Sequence, residues 1–171
     1  MPLQLLAPGY PTARLLASVT RILSLNPLCS MATRSEAGPV DINAAFVSFG
    51  ADLTFYFLSN PNATHSRNLT RVPQMAMTVF DSHQQWGESH SGLQLFGPGA
   101  TVIPDHLEQA RASYAARFAG YFDLVIRAAE AAAAPAGPAA LQLYCFAPTQ
   151  VKILDELEFG DGIYITAEIV R

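Results

Sequence analysis

The stretch from Leu53 to Phe80, LTFYFLSNPNATHSRNLTRVPQMAMTVF, constrains the fold more than any other part of the chain. An apolar, aromatic-rich run from Leu53 to Leu58 stops at Ser59-Asn60-Pro61-Asn62. A polar turn of helix over Ala63 to Leu69 follows, closed by Thr70-Arg71-Val72-Pro73, and a second alternating run covers Met75 to Phe80. Short apolar runs bounded by turn residues read as strands. The pattern is therefore strand, tight loop, short helix, strand. Asn60 suits the helix cap and Pro61 its first position, where a missing N–H costs nothing. Thr64, His65, Ser66 and Arg67 then fall in the first turn, where outward-pointing backbone N–H groups favour an anion. A strand end, a helix N-terminus, hydroxyls and a basic side chain make a phosphate pocket the expectation here.

The flanking sequence extends the pattern. Pro11 to Leu25 carries Leu15, Leu16, Val19, Ile22 and Leu23 at helical spacing, and Asn26-Pro27 stops it. Strands are expected over Leu28 to Thr33 and Ile42 to Phe49, with turns at Ser35 to Pro39 and Gly50 to Asp52. Asp81 to Ser91 is a polar loop. Gly92 to Phe96 resumes strand, bends at Gly97-Pro98-Gly99 and continues over Ala100 to Ile103. Pro104-Asp105 opens a long helix with Leu107, Ala110, Tyr114, Phe118, Phe122, Val125 and Ile126 in one stripe. Ala128 to Ala134 continues it, and Pro135-Ala136-Gly137-Pro138 ends it. Leu141 to Phe146, Val151 to Phe159 and, after Gly160-Asp161-Gly162, Ile163 to Val170 are closing strands. Residues 1–10, with Pro2, Pro8 and Gly9, read as a loose arm ahead of a single domain over 11–171. The class is α+β, mainly antiparallel, as a barrel or a sandwich.

Composition narrows the partners. Hydrophobic residues are 50% and charged residues 14%, so the chain is not disordered and can fill a core. No run approaches the roughly 20 apolar residues of a membrane span, so surplus apolar surface is expected at a subunit interface. A net charge of −4 with scattered arginines lacks the basic footprint of nucleic-acid binding. Lys152 is the single lysine, without a setting for Schiff-base chemistry. Cys29 and Cys145 sit in apolar runs and read as buried thiols. His65, His83, His90 and His106 lack metal-ligand spacing, so no metal is expected. Glu156 and Glu158 alternate with apolar neighbours and read as a solvated strand face. The start of the chain lacks the charged end and long apolar core of a signal peptide, which makes the cytoplasm the expected compartment.

Phe57-Leu58-Ser59, Thr64-His65, Asn68-Leu69, Pro73 and Met75-Ala76-Met77 fall in the order of motifs that pyridoxamine 5′-phosphate oxidase-like flavoproteins share. Leu28 to Thr33 resembles that family's first barrel strand, and Leu93 to Gly97 the strand after its flavin-ring loop. Tyr114 to Phe118 resembles its later helix, and Phe146 to Gly160, with Pro148, Val151 and Glu156, its closing strands. The resemblance implies a six- to eight-stranded split β-barrel of Greek-key type, with an N-terminal helix and one long helix before the closing strands. It also implies FMN binding, and a homodimer whose interface builds the flavin site.

The resemblance further implies where the cofactor is held. Ser59, Thr64, His65, Arg67 and Asn68 form the phosphate loop, with Thr64-His65 standing where the family has Arg-Lys. A phosphate stabilises protonated histidine, so FMN binding is expected to weaken as pH rises above neutrality; alternatively, His65 only hydrogen-bonds the loop. Arg67, Arg71 or an arginine of the second subunit can restore charge. Asn43 and Ser48 occupy the positions of an arginine and a lysine in the family's second strand. They, with backbone groups of Phe46 and Val47, can hydrogen-bond the flavin ring or ribityl chain. Gln84 or Gln85 can meet the ring's polar edge, and Trp86 can stack on a ligand or pack at the subunit interface. The end of the chain, Thr166 to Arg171, lacks the arginine-rich pattern of true pyridoxamine phosphate oxidases, so vitamin B6 oxidation is not expected. The expected activity is a flavin-dependent oxidoreductase acting on a small molecule, with a nicotinamide cofactor as electron donor. A haem-handling barrel using His65, His83 or His90, and a non-catalytic flavin- or deazaflavin-binding dimer, are the alternatives.

Overall fold

Successive side chains of a strand face opposite sides, and burial in this protein follows that period of two. In Met75–Phe80 (β5), Met75, Met77 and Val79 are buried while Ala76 and Thr78 are half-buried and Phe80 is exposed. The same alternation runs through Leu28–Arg34 (β2), Ser91–Gly97 (β6), Gln150–Asp155 (β9) and Tyr164–Val170 (β10). The remaining strands are Gln4–Leu6 (β1), Val40–Phe49 (β3), Phe55–Ser59 (β4), Gly99–Thr101 (β7) and Gln142–Phe146 (β8). The computed structural model describes residues 2–133 and 140–171, which contain these ten strands and five α-helices. Neighbouring strands are antiparallel, in the order β1-β10-β9-β6-β5-β2-β3-β4-β8-β7.

Bent strands curl this sheet into a split barrel. β3 pairs with β2 through Val40–Phe46 and with β4 through Val47–Phe49. β6 pairs with β5 and β9 in the middle of the order, while its continuation β7 pairs with β8 at the far edge. The bend is at Gly97-Pro98, where the Ala147 N–H donates to the Pro98 carbonyl and the Thr149 N–H to the Phe96 carbonyl, both at 2.9 Å. A Cβ on Gly97 would stand 2.7 Å from Pro148 Cα and 2.9 Å from Thr149 N. These are backbone atoms that cannot rotate aside. Gly97→Ala is expected to destabilise the fold by about 2–3 kcal/mol, seen as a lower urea midpoint with unchanged slope.

The barrel interior is filled by Phe55, Phe57, Phe146, Leu93, Leu95 and Ile153, all buried. Helix α1 (Thr12–Leu25) adds Leu15, Val19, Ile22 and Leu23 to the same core. Asp155, wholly buried at the end of β9, fastens that helix: its carboxylate accepts the Ser18 hydroxyl at 2.5 Å and the Arg21 guanidinium. Helix α2 (Thr64–Arg71) packs on β2, β3 and β7. Helices α3 (Leu107–Arg117) and α4 (Tyr121–Ala133) cover β4 and β8 through a second cluster containing Tyr56, Ala110, Tyr114, Tyr121 and Leu143.

Several local expectations change. The expected arm contains β1, with Leu5 buried and Gln4 paired to Val170. With β7, this short strand brings the barrel to ten strands. The helical stretch after β7 is broken: a 3-10 turn over Pro104–His106 leads into α3, and Gly120, at φ +83°, separates α3 from α4. Strand β9 ends at Asp155 and turns into α5 (Glu156–Phe159), so Glu156 and Glu158 do not share a strand face. Helix α2 starts at Thr64, with Ala63 as its cap residue. The Asn60 side chain instead accepts the Asn62 N–H at 2.8 Å, an Asx turn that delays the helix. Pro135-Ala136-Gly137-Pro138 lies outside the described residues. No helix among the described residues is long and apolar enough to cross a membrane.

Candidate functional site

The end of β4 delivers Ser59 to the first turn of α2. Ser59 is buried, and its hydroxyl meets His65 Nε2 at 2.6 Å and accepts the Ser66 hydroxyl at 3.0 Å. Asn68, also buried, donates to the Thr33 hydroxyl at 3.1 Å and so fixes α2 on β2. Arg67 is exposed and donates to the Asn62 carbonyl. No side chain caps the helix. The first N–H groups, those of Thr64, His65 and Ser66, therefore have no partner within the helix. Thr64 stands exposed beside them.

The electrostatics of this cradle are unusual for an anion site. Burial pulls the His65 imidazole below its ordinary pKa, with the Asp41 carboxylate partly opposing that shift. The imidazole is therefore mostly neutral near pH 7. Asp41 places negative charge where a phosphate would prefer none. On the same face of β3, the Asn43 Oδ1 is buried without a hydrogen-bond partner among the described residues. Such an orphan carries a desolvation cost that a ligand N–H or hydroxyl would relieve.

Ser48, five positions along β3 from Asn43, faces the other side of the strand. It is buried under α3 and accepts the Ser113 hydroxyl at 3.1 Å. The Phe46 carbonyl accepts the Tyr114 hydroxyl at 3.2 Å, and the Val47 N–H donates to the Pro27 carbonyl at 2.9 Å. These two backbone groups are already engaged. Gln84 donates to the Asp81 carbonyl and accepts the Ser91 N–H, and Gln85 donates to the His83 carbonyl, so both glutamines brace their own loop. Trp86 is 98% exposed. Glu156 clamps the loop's base by accepting the N–H groups of His90 at 2.7 Å and Gly162 at 2.9 Å, which hold its carboxyl below the usual range. Within this chain, then, Ser59, Thr64, His65, Arg67 and Asn68 converge. Asn43 lies on the strand against that helix, Phe46, Val47 and Ser48 lie towards α3, and Gln84, Gln85 and Trp86 form a separate loop.

Two features escape the sequence reading. Ser24, Ser48, Phe49, Ser113 and Arg117 line a hollow of about 360 Å³. The Arg117 guanidinium stands over the Phe49 ring, donates to the Leu23 carbonyl, and buries its Nη1 without a hydrogen-bond partner among the described residues. Burial lowers its pKa, yet a guanidinium stays charged in ordinary buffers. Its sequence setting, Tyr-Ala-Ala-Arg-Phe, marks a helix and gives no sign of burial. The second feature is the outer face of β2 and β3, where Leu28, Val40, Ile42 and Phe46 are all exposed. An almost wholly apolar hollow of about 260 Å³, lined by Ile42, Ala76 and Phe96 among others, lies on that face.

Known proteins share this fold. No curated protein matches the sequence. Among known structures, a haem binding protein from Mycobacterium smegmatis superposes with a TM-score of 0.66 at 17% identity, over 93% of this chain and 59% of its own. Protein Atu2129 from Agrobacterium tumefaciens, of unknown function, gives 0.60 at 21% identity over 80% of this chain and 55% of its own. A pyridoxamine 5′-phosphate oxidase-related, FMN binding protein from Nostoc punctiforme gives 0.58 at 13% identity, over 97% of this chain and 98% of its own. The chain thus spans under two thirds of the first two relatives, and at these identities the likeness establishes the split-barrel fold. The sequence model described as pyridoxamine 5′-phosphate oxidase matches residues 15–155, from within α1 to the end of β9, and the chain belongs to that family.

Proposed function

We propose that this chain is an FMN-binding flavoprotein, a homodimer that carries out redox chemistry on a small anionic molecule. The observation that carries the reading is the uncapped N-terminus of α2, with Thr64 and His65 beside it and the unsatisfied Asn43 carbonyl on the adjoining strand. These groups fit a phosphoester and a ribityl hydroxyl by hydrogen bonding, without a fixed pair of cations. The flavin, when bound, supplies hydride transfer, and a nicotinamide cofactor is the proposed electron donor. The protein's part is placement. The apolar outer face of β2 and β3 joins two protomers, and Trp86 is free to contact the second copy or the ring. The Arg117 hollow borders that face through Ser48 and offers a half-buried cation to the substrate's acid group.

A second reading is haem binding, favoured by one observation. His90 Nδ1 lies 3.3 Å from the Glu156 carboxylate, which leaves Nε2 free for an iron. An absorption spectrum of the purified protein separates the two, with flavin bands supporting the first and a Soret band the second.

Titration of Trp86 fluorescence with FMN and with riboflavin tests the cradle. FMN is expected to bind more tightly than riboflavin, and more tightly at about pH 6 than at about pH 8, by roughly three- to tenfold. The sign follows from His65: the free protein disfavours its protonation and a bound phosphate favours it, so binding takes up a proton. His65→Ala is expected to remove the slope, and Asp41→Asn to tighten FMN roughly threefold by deleting a like charge. Equal affinity for FMN and riboflavin would end the claim that α2 holds a phosphate.

A further inference from the structure

We propose a second ligand site that goes beyond this reading: the hollow between the 81–91 loop, β6, β9 and β10 binds a small carboxylate with an apolar body, and Lys152 is its anchor. The hollow measures about 360 Å³, within the range of small-molecule sites. It holds the chain's only lysine. Lys152 is half-buried, with its ammonium 4.5 Å from the centre of the Tyr164 ring. Among the described residues it makes neither an ion pair nor a hydrogen bond to a side chain.

An ammonium partly withdrawn from water without a counter-ion favours an anion beside it. No carboxylate among the described residues stands within ion-pair distance of it. Its cross-strand neighbours, Gln94 on β6 and Thr166 on β10, are neutral. The acid of the hollow, Glu156, is committed to the N–H groups of His90 and Gly162 and to the His90 ring. Lys152 therefore faces the hollow without an ion-pair partner, while Glu156 keeps its charge elsewhere in the same hollow. Leu154 and Phe80 supply apolar wall. A cation above an aromatic ring, flanked by neutral hydrogen bonders and apolar side chains, suits a ligand with one carboxylate and a hydrophobic body.

The test is calorimetric titration of the full chain with benzoate, alone and in competition with inorganic phosphate. Benzoate is expected to saturate one site per protomer with a Kd at or below roughly 1 mM, and phosphate to compete for that same site at least about tenfold more weakly. Lys152→Met is expected to weaken benzoate about tenfold or more, and Lys152→Arg to keep most of the affinity. A melting curve for each variant identifies loss of folding, and Lys152→Gln replaces the methionine variant if it fails. Absence of saturable benzoate binding, benzoate binding unchanged in Lys152→Met, or phosphate displacing bound benzoate as effectively as benzoate itself would each overturn the site. None of these outcomes depends on flavin, so the site and the flavin reading stand or fall separately.

Discussion

Replacing Arg21 by methionine is expected to cost about 3 kcal/mol of folding stability, although 43% of that side chain is exposed. The cost falls on its partner. Asp155 is wholly buried, with one carboxylate oxygen shared by Ser18 and Arg21 and the other without a hydrogen-bond partner among the described residues. Removing the guanidinium leaves a buried carboxylate held by one hydroxyl, whereas removing the carboxylate leaves an arginine that can turn into solvent. Asp155→Asn is therefore expected to cost less, about 1–2 kcal/mol, and the double variant less than the sum of the two. Urea unfolding of the three variants gives the comparison. A cost below about 1 kcal/mol for Arg21→Met would show that the pair does not anchor α1.

Placing aspartate at Ile42 is expected to split the proposed dimer and weaken FMN by about 100-fold or more, while leaving the single chain's melting behaviour almost unchanged. Ile42 is 71% exposed and contributes little to its own core, so a charge there costs the isolated protomer little. Its value lies in association: with Val40, Leu28 and Phe46 it forms an apolar strip beside the hollow on the outer face. A carboxylate buried in a two-fold interface meets its own copy or apolar surface, and either is unfavourable. Sedimentation velocity gives the mass and the Trp86 titration the affinity. A monomeric parent protein, or a dimeric Ile42→Asp, would remove the outer face from the proposal.

The legible parts of this fold were those with local causes. The β2–β3 and β5–β6 runs alternate cleanly, and the polar insert between β4 and β5 could only be a short helix. What failed depends on distant partners or on ambiguous periodicity. Strand β1 has three residues, and only its pairing with β10 distinguishes it from coil. The apolar stripe of α3 runs on into α4, which hid the break that Gly120 makes. In α5, Glu156 and Glu158 match a strand as well as a turn of helix. At the candidate site the sequence marked the α2 segment but not the partners of Ser48 or the half-buried setting of Arg117, because α3 is brought over β3 from far along the chain.

The pairing of β1 with β10 fixes the order in which this molecule can be completed. Gln4, Leu5 and Leu6 find their partners only in Val170, Ile169 and Glu168. During synthesis the first strand waits for almost everything after it, and the edge of β9 stays bare until residues 164–170 arrive. Closure at such sequence separation is slow, and an open edge meanwhile invites pairing with another nascent chain. Residues 164–170 must leave the ribosome before β1 has a place to go.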